Sequence, residues 1–218
     1  MGQIIPGRGG SSDPVIEFIN DPMNSINPNF IVDTPVGSSI TVANTGGTDR
    51  VRFQNDPGGD QRPNLTWNVP IVSPIWCVQA YINHVTAVNS SSLRLEFYDR
   101  SGESEYLMLA LARSPGGTLE GWTLTNNQSQ YINIGISQGW MRMFTNGYNL
   151  QAWYSSNDEN SPPNNTDWTK FVEWNISVNH NVIIPADFII RQTSWGLQES
   201  EFDISNLSLH LGGIPDAP

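Results

Sequence analysis

At 218 residues the chain has an ordinary length for a single β-sandwich, so one core is expected rather than two. Its 10 Lys and Arg stand against 21 Asp and Glu, a net charge of −11, which argues against a nucleic-acid partner because phosphate binding needs clustered cations. Only 14% of residues are charged, so Asn, Ser, Thr, Gln and Gly must cover the surface, a composition that suits a secreted, adhesive or virion protein better than a cytosolic metabolic enzyme.

Residues 1–14, MGQIIPGRGGSSDP, are rich in Gly, Ser and Pro, lack periodicity, and read as a flexible arm that a protein scaffold would order. The segment lacks the basic start and long apolar stretch of a secretory signal, so synthesis in the cytosol and a final place on a virion or particle surface are expected. From residue 15 to 212 the pattern is short strands and turns, with 213–218 left as a tail. Strands are predicted over 15–20, 38–44, 49–55, 65–69, 76–85, 92–99, 105–113, 121–127 and 131–137. A hairpin over 139–156 follows, then strands over 169–176, 186–192 and 202–211. Leu107, Leu109 and Leu111 alternate with Met108, Ala110 and Ala112, apolar on both faces, which marks a doubly covered strand. No apolar run approaches the roughly 20 residues of a membrane helix, so no membrane partner is expected. About a dozen strands with hairpin-length links predict an all-β fold, two antiparallel sheets stacked as a jelly-roll sandwich.

The hairpin carries the most information. Asn146-Gly147 is a type I′ turn signal, since both central residues of that turn need positive φ. Counting outward from it pairs Met143 with Leu150 and Met141 with Ala152 on a core face, and Arg142 with Gln151 and Trp140 with Trp153 on the other. Trp140, Arg142, Asn149, Gln151 and Trp153, with Trp168 on the rim, combine flat apolar rings and amides, as recognition of a glycan or host-surface polysaccharide requires. The alternative is that Trp140 and Trp153 are covered by another element, as tryptophans usually are.

The stretch WMRMFTNGYNLQAWYSSNDENSPPNNTDWTKF, with the opening EFINDPMNSINPNFIVD and the closing FDISNLSLHL, resembles the concanavalin A-like lectin and glucanase sandwiches of the laminin-G-like superfamily. The resemblance spans most of residues 15–211 and implies the fold. It leaves activity open, since that superfamily holds lectins, carbohydrate-binding modules, glycosidases, lyases and structural adhesion modules.

Glycoside hydrolysis needs two carboxylates flanking the scissile bond. Glu199, Glu201 and Asp203 alternate, so on one strand they share a face. Laminarinase-type relatives carry Glu-x-Asp-x-x-Glu on a mid-chain strand, whereas this order is Glu-x-Glu-x-Asp near the C-terminus, so no catalytic residue is assigned and a solvated strand face is the competing reading. A non-catalytic recognition or adhesion module is therefore expected, with a purely structural virion decoration or fibre protein as the rival, and a glycosidase or lyase after that. Calcium is the one cofactor considered: Asp158, Glu159 and Asp167, with Asp56 and Asp60, sit in polar loops without the regular spacing of a defined calcium loop. His84, His180 and His210 lack zinc-ligand spacing, and Cys77, the only cysteine, reads as a buried small hydrophobe.

Overall fold

The structure, a computed structural model, describes residues 16–57, 62–87, 91–99, 106–113, 119–125, 129–175, 185–194 and 199–212. The expected arm over 1–14 and tail over 213–218 lie outside the described residues, as do Asp60, His180 and Trp195. Fifteen strands occur among the described residues: β1 Ile16–Asp21, β2 Phe30–Asp33, β3 Ser38–Thr45, β4 Thr48–Asn55, β5 Asn64–Trp67, β6 Ile75–Ala87, β7 Ser91–Asp99 and β8 Tyr106–Arg113. The rest are β9 Leu119–Thr125, β10 Ser129–Asn133, β11 Gln138–Asn146, β12 Asn149–Ser155, β13 Thr169–Asn175, β14 Ala186–Ser194 and β15 Ser200–Leu211. One sheet, A, runs β13-β12-β11-β6-β15-β4-β3 with β1 also paired to β15; the other, B, runs β10-β9-β8-β7-β14-β5-β2. Every pairing is antiparallel.

Period-2 alternation builds the core between the sheets. Sheet A turns Val51, Phe53, Trp76, Val78, Ala80, Ile82, Met141, Met143, Phe202 and Ile204 inward; sheet B answers with Leu93, Leu95, Phe97, Phe188 and Ile190. The sheets meet closely where Trp76 of β6 stacks on Phe97 of β7, ring centroids 3.9 Å apart and 11° from parallel. Each such fully buried apolar side chain contributes about 2 kcal/mol of transfer free energy. On β8 both residue sets are buried, as their two-faced pattern requires. The four-residue strand β2 escapes sequence reading because Pro28 and Asp33 bracket only one short alternation, and its pairing with β5 is the long-range contact that makes it a strand.

The hairpin register departs from the predicted one by two residues. Met143 faces Ala152, Arg142 faces Trp153 and Trp140 faces Ser155. Asn146 is the last residue of β11 rather than the first turn residue, and the turn is Gly147-Tyr148 with φ +86° at Gly147. The Asn146 Oδ1 accepts from the Tyr148 and Asn149 amides at 2.9 and 2.7 Å, so the side chain closes the turn without a left-handed backbone at Asn146. A shift of one would have turned every side chain over; a shift of two keeps both faces as predicted.

Candidate functional site

The outward face of sheet A is a lattice of side chains in register across its strands. One row runs Lys170, Trp153, Arg142, Gln79, Ser208 from β13 to β15, and the next runs Glu173, Gln151, Phe144, Cys77, His210, Glu17 and ends on β1. A bulge in β15 makes the rows continuous. Ser205 and Ser208 oppose Tyr81 and Gln79, three residues against two, and the extra residue is accommodated at Asn206, in the left-handed region at φ +51°. The bulge brings Ser208 and His210 to the outward face while Leu207, Leu209 and Leu211 fill the core.

Residues 156–168 cross this face as a loop fastened at several points. Trp140 Nε1 donates to the Asp158 carbonyl at 3.2 Å, and the Trp140 ring meets Tyr81 edge-on at 5.8 Å. The Glu159 carboxylate accepts from Arg50 Nε at 3.0 and 3.2 Å, from Arg50 Nη2, and from the Ser205 hydroxyl. Burial alone would raise the Glu159 pKa, but the bonds from Arg50 and Ser205 overcome it and hold the carboxyl below its ordinary value. At the far end the Arg142 guanidinium lies 4.1 Å from the Trp168 ring centroid, while its Nε and Nη2 both donate to Gln79 Oε1 at 3.0 and 2.6 Å. Asp167 Oδ2 accepts from the Asn157 side chain and the Asn164 amide, tying the loop to itself.

The loop answers the open question about the tryptophans. Trp140 is 2% exposed and Trp153 6%, the latter packed with Cys77, Phe144 and Trp168, so neither offers a ring face for a sugar to stack on. Trp168 spends its ring on Arg142. Gln151 donates to Glu173, and Asn149 closes the hairpin turn, both away from the loop's clefts. Cys77 is buried as expected, and burial pushes its thiol up to about 11, leaving it inert.

Among the described residues, the loop and the sheet enclose clefts at three places. The largest, about 550 Å³, is lined by Gln79, Arg142, Pro163, Asn164, Asn165, Thr166 and His210. The second, about 420 Å³, shares Gln79 and adds Asn20, Asp21, Trp140, Glu159, Asn160, Asn206 and Ser208. The third, about 380 Å³, shares Glu159 and Asn160 with the second and reaches Arg50, Tyr81, Asn83, Gln138 and Asp158. Their walls mix amides, hydroxyls and a few charges with apolar surface from Pro22, Pro162, Pro163, Trp140 and Tyr81. Of the predicted recognition residues, Arg142 and Trp140 take part; Gln79, Asn160, Asn164, Asn165, Thr166, Ser208 and His210 were not singled out for it. The switch of apolar parity in FDISNLSLHL, from Phe202 and Ile204 to Leu207 and Leu209, was a readable sign of the bulge that presents Ser208 and His210.

The acidic candidates are occupied in other ways. Asp203, fully buried, accepts from Arg52 at 2.7 and 3.1 Å and from the Thr45 hydroxyl at 2.9 Å, while Glu201 lies 3.4 Å from the same guanidinium and Glu199 is exposed before β15 begins. A carboxylate held between an arginine and a hydroxyl is poorly placed as nucleophile or acid. Nor do the calcium candidates form a cage. Glu159 is paired with Arg50, Asp167 accepts two N–H donors, and the Asp158 carbonyl accepts from Trp140 and the Ser161 amide. Among the described residues no group of three or more His, Cys, Asp or Glu converges as metal ligands.

No protein-family model and no curated protein matches the sequence. The fold, by contrast, is that of the concanavalin A-like jelly rolls. The Bacillus licheniformis β-glucanase superposes with a TM-score of 0.61 at 10% identity, over 88% of this chain and 97% of its own. The VIP36 exoplasmic/lumenal domain in its Ca²⁺/Man2-bound form gives 0.62 at 11%, over 91% and 88%. The CBM2 module of the evolved Dit of Lactobacillus casei BL23 phage J-1 gives 0.58 at 9%, over 90% and 95%. Lectins, a carbohydrate-binding module and glucanases thus share this architecture, and identities this low establish the fold alone.

Proposed function

We propose that the protein is a non-catalytic glycan-recognition module carried on a virion or other large assembly. The observation that supports it most is the set of clefts around the loop over 156–168, whose linings include Asn, Gln, Ser and Thr on the outward face of sheet A. Sugar hydroxyls are met by such amides and hydroxyls, each able to donate and accept. The kinship in fold with proteins described as sugar-bound or carbohydrate-binding is in keeping with this reading, as is the engagement of Glu201 and Asp203 by Arg52. A phage-borne module among the fold relatives, together with the low-charge polar composition, supports display on a particle.

A glycan array probed with the full chain tests this. Binding to at least one oligosaccharide class, lost on Gln79→Ala with the β-sheet circular dichroism retained, is the expected result; silence across neutral and acidic glycans would sink the reading. Incubation with β-glucans and alginate should release no new chain ends. Turnover that disappears on Glu201→Gln would make the protein an enzyme instead.

A further inference from the structure

Two of the clefts join into one groove, and the groove defines a shape of ligand within the glycan reading, on which this inference rests. The largest and the second share Gln79; their linings continue from Asn206 and Ser208 to His210 along β15, and from Pro162 to Pro163 along the loop. The third has, among its described lining residues, none from β15 and reaches Thr45 and Thr48 of the β3–β4 hairpin instead. We propose that the groove binds a linear, neutral oligosaccharide through at least two consecutive sugar rings, one in each cleft, rather than a single terminal sugar.

Strand geometry sets the length of the groove. At ~3.3 Å per residue, the floor from Asn206 to His210 runs roughly 13 Å, longer than one sugar ring. Each cleft is large enough by itself: about 550 and 420 Å³ fall within the roughly 300–1,000 Å³ of small-ligand pockets. Polar groups along both clefts are uncommitted. The side chains of Asn165 and Thr166 in the first and Asn206 in the second make no hydrogen bond among the described residues, and the Ser208 hydroxyl likewise lacks a partner there. At the junction Gln79 Oε1 accepts from Arg142, which fixes the amide and leaves Nε2 as a donor where the two rings would meet. Pro162 and Pro163, side by side on the loop, add apolar surface for sugar C–H groups at the same point. Charge selects a neutral chain. Arg142 lines one cleft and Asp21 and Glu159 the other, so a chain bearing the same charge on every ring would meet its own sign in one of them.

Calorimetric titration of the full chain with mono- and tetrasaccharides of glucose, galactose, mannose, xylose and N-acetylglucosamine tests the inference. In at least one series the tetrasaccharide should bind about tenfold or more tighter than its monosaccharide, because linking the rings makes the second contact intramolecular. Asn165→Ala and Ser208→Ala, one in each cleft and both outside the apolar core, should each weaken that tetrasaccharide about threefold or more, the net value of a hydrogen bond or so. Both variants should keep the β-sheet circular dichroism of the parent. A monosaccharide that binds as tightly as its tetrasaccharide, or a loss confined to one of the two variants, places the ligand in a single cleft and overturns the inference while glycan recognition stands. Array binding confined to charged or branched glycans overturns the linear, neutral assignment in the same way. Absence of binding in every series overturns it too, and together with a silent array removes the glycan reading as well.

Discussion

Two buried glutamates, one on each outward face of the sandwich, show how differently a charge can be used. Glu159 belongs to a loop and is held by Arg50 and Ser205, residues 109 and 46 positions away in sequence, so its pair fastens a connection that strand pairing alone leaves undetermined. Glu96 sits on β7 of sheet B, fully buried, with Arg94 and Arg191 at 3.6 and 3.3 Å on its own and the adjacent strand, which backbone hydrogen bonds already join. The two carboxyls shift in opposite directions. Burial dominates at Glu96 and raises its pKa despite Arg191 and Arg94, whereas the bonds from Arg50 and Ser205 outweigh burial at Glu159 and lower it. A buried charge adds stability where direct donors meet it and where the contact fixes something otherwise loose.

Substitution can break that contrast most severely at the loop. Glu159→Ala leaves Arg50 buried without its carboxylate and should cost about 4 kcal/mol in urea unfolding, with faster proteolysis within residues 156–168. Next in size is a pH effect between the sheets, where His84 of β6 packs edge-on against Phe202. Desolvation, then Arg113, lower its pKa from 6.5 to about 4, so the folded chain favours the neutral ring. Above pH 6.5 the two states bind no proton there and nothing is lost; as pH falls from 6.5 toward 4, the unfolded chain is protonated first and stability drops by up to about 3 kcal/mol. His84→Gln should flatten urea midpoints across that window, apart from a smaller slope from His210, whose pKa is also lowered. Trp168→Ala removes the ring over Arg142 and part of the packing around Trp153, and should cost about 2 kcal/mol by the same measurement. Glu96→Gln should change stability by less than about 1 kcal/mol, because the arginines beside it reach solvent and the variant relieves a desolvated charge. Its pH dependence is the sharper test. The penalty of ionising Glu96 grows as pH rises above the ordinary glutamate value of 4.5, so the variant should gain relative to the parent from pH 4.5 upward, while Glu159→Ala should lose its disadvantage as pH falls below that value.

The sandwich was largely legible in the sequence because alternation is a local property: the apolar sets of β6, β7, β8 and β11 can be read from each strand by itself. The hairpin faces were legible for the same reason, and only the pairing was off, since the Asn146 side chain took over the work assigned to its backbone. What covers Trp140 and Trp153 was not legible. That depends on Glu159 reaching Arg50 and on Trp168 reaching Arg142, contacts that residue types permit and only the assembled sheet brings together. The clefts follow from the same assembly, with Gln79, Arg142, Asn165 and His210 drawn from separate parts of the chain. Gly139 belongs to this group as well: a Cβ there would lie 2.5 Å from the Ser155 carbonyl, a close approach of backbones invisible in the string GWMRM.

The loop over 156–168 divides its labour by position. Trp140, Arg50, Ser205 and Gln79, which receive its fastenings or brace the arginine beneath it, are rooted in strands, whereas Asn164, Asn165 and Thr166 project from its exposed side and fasten no side chain to the sheet. Selection can therefore exchange those three residues at small cost in stability while the scaffold beneath stays fixed, so sequence divergence should accumulate at these positions first and at Glu159 last.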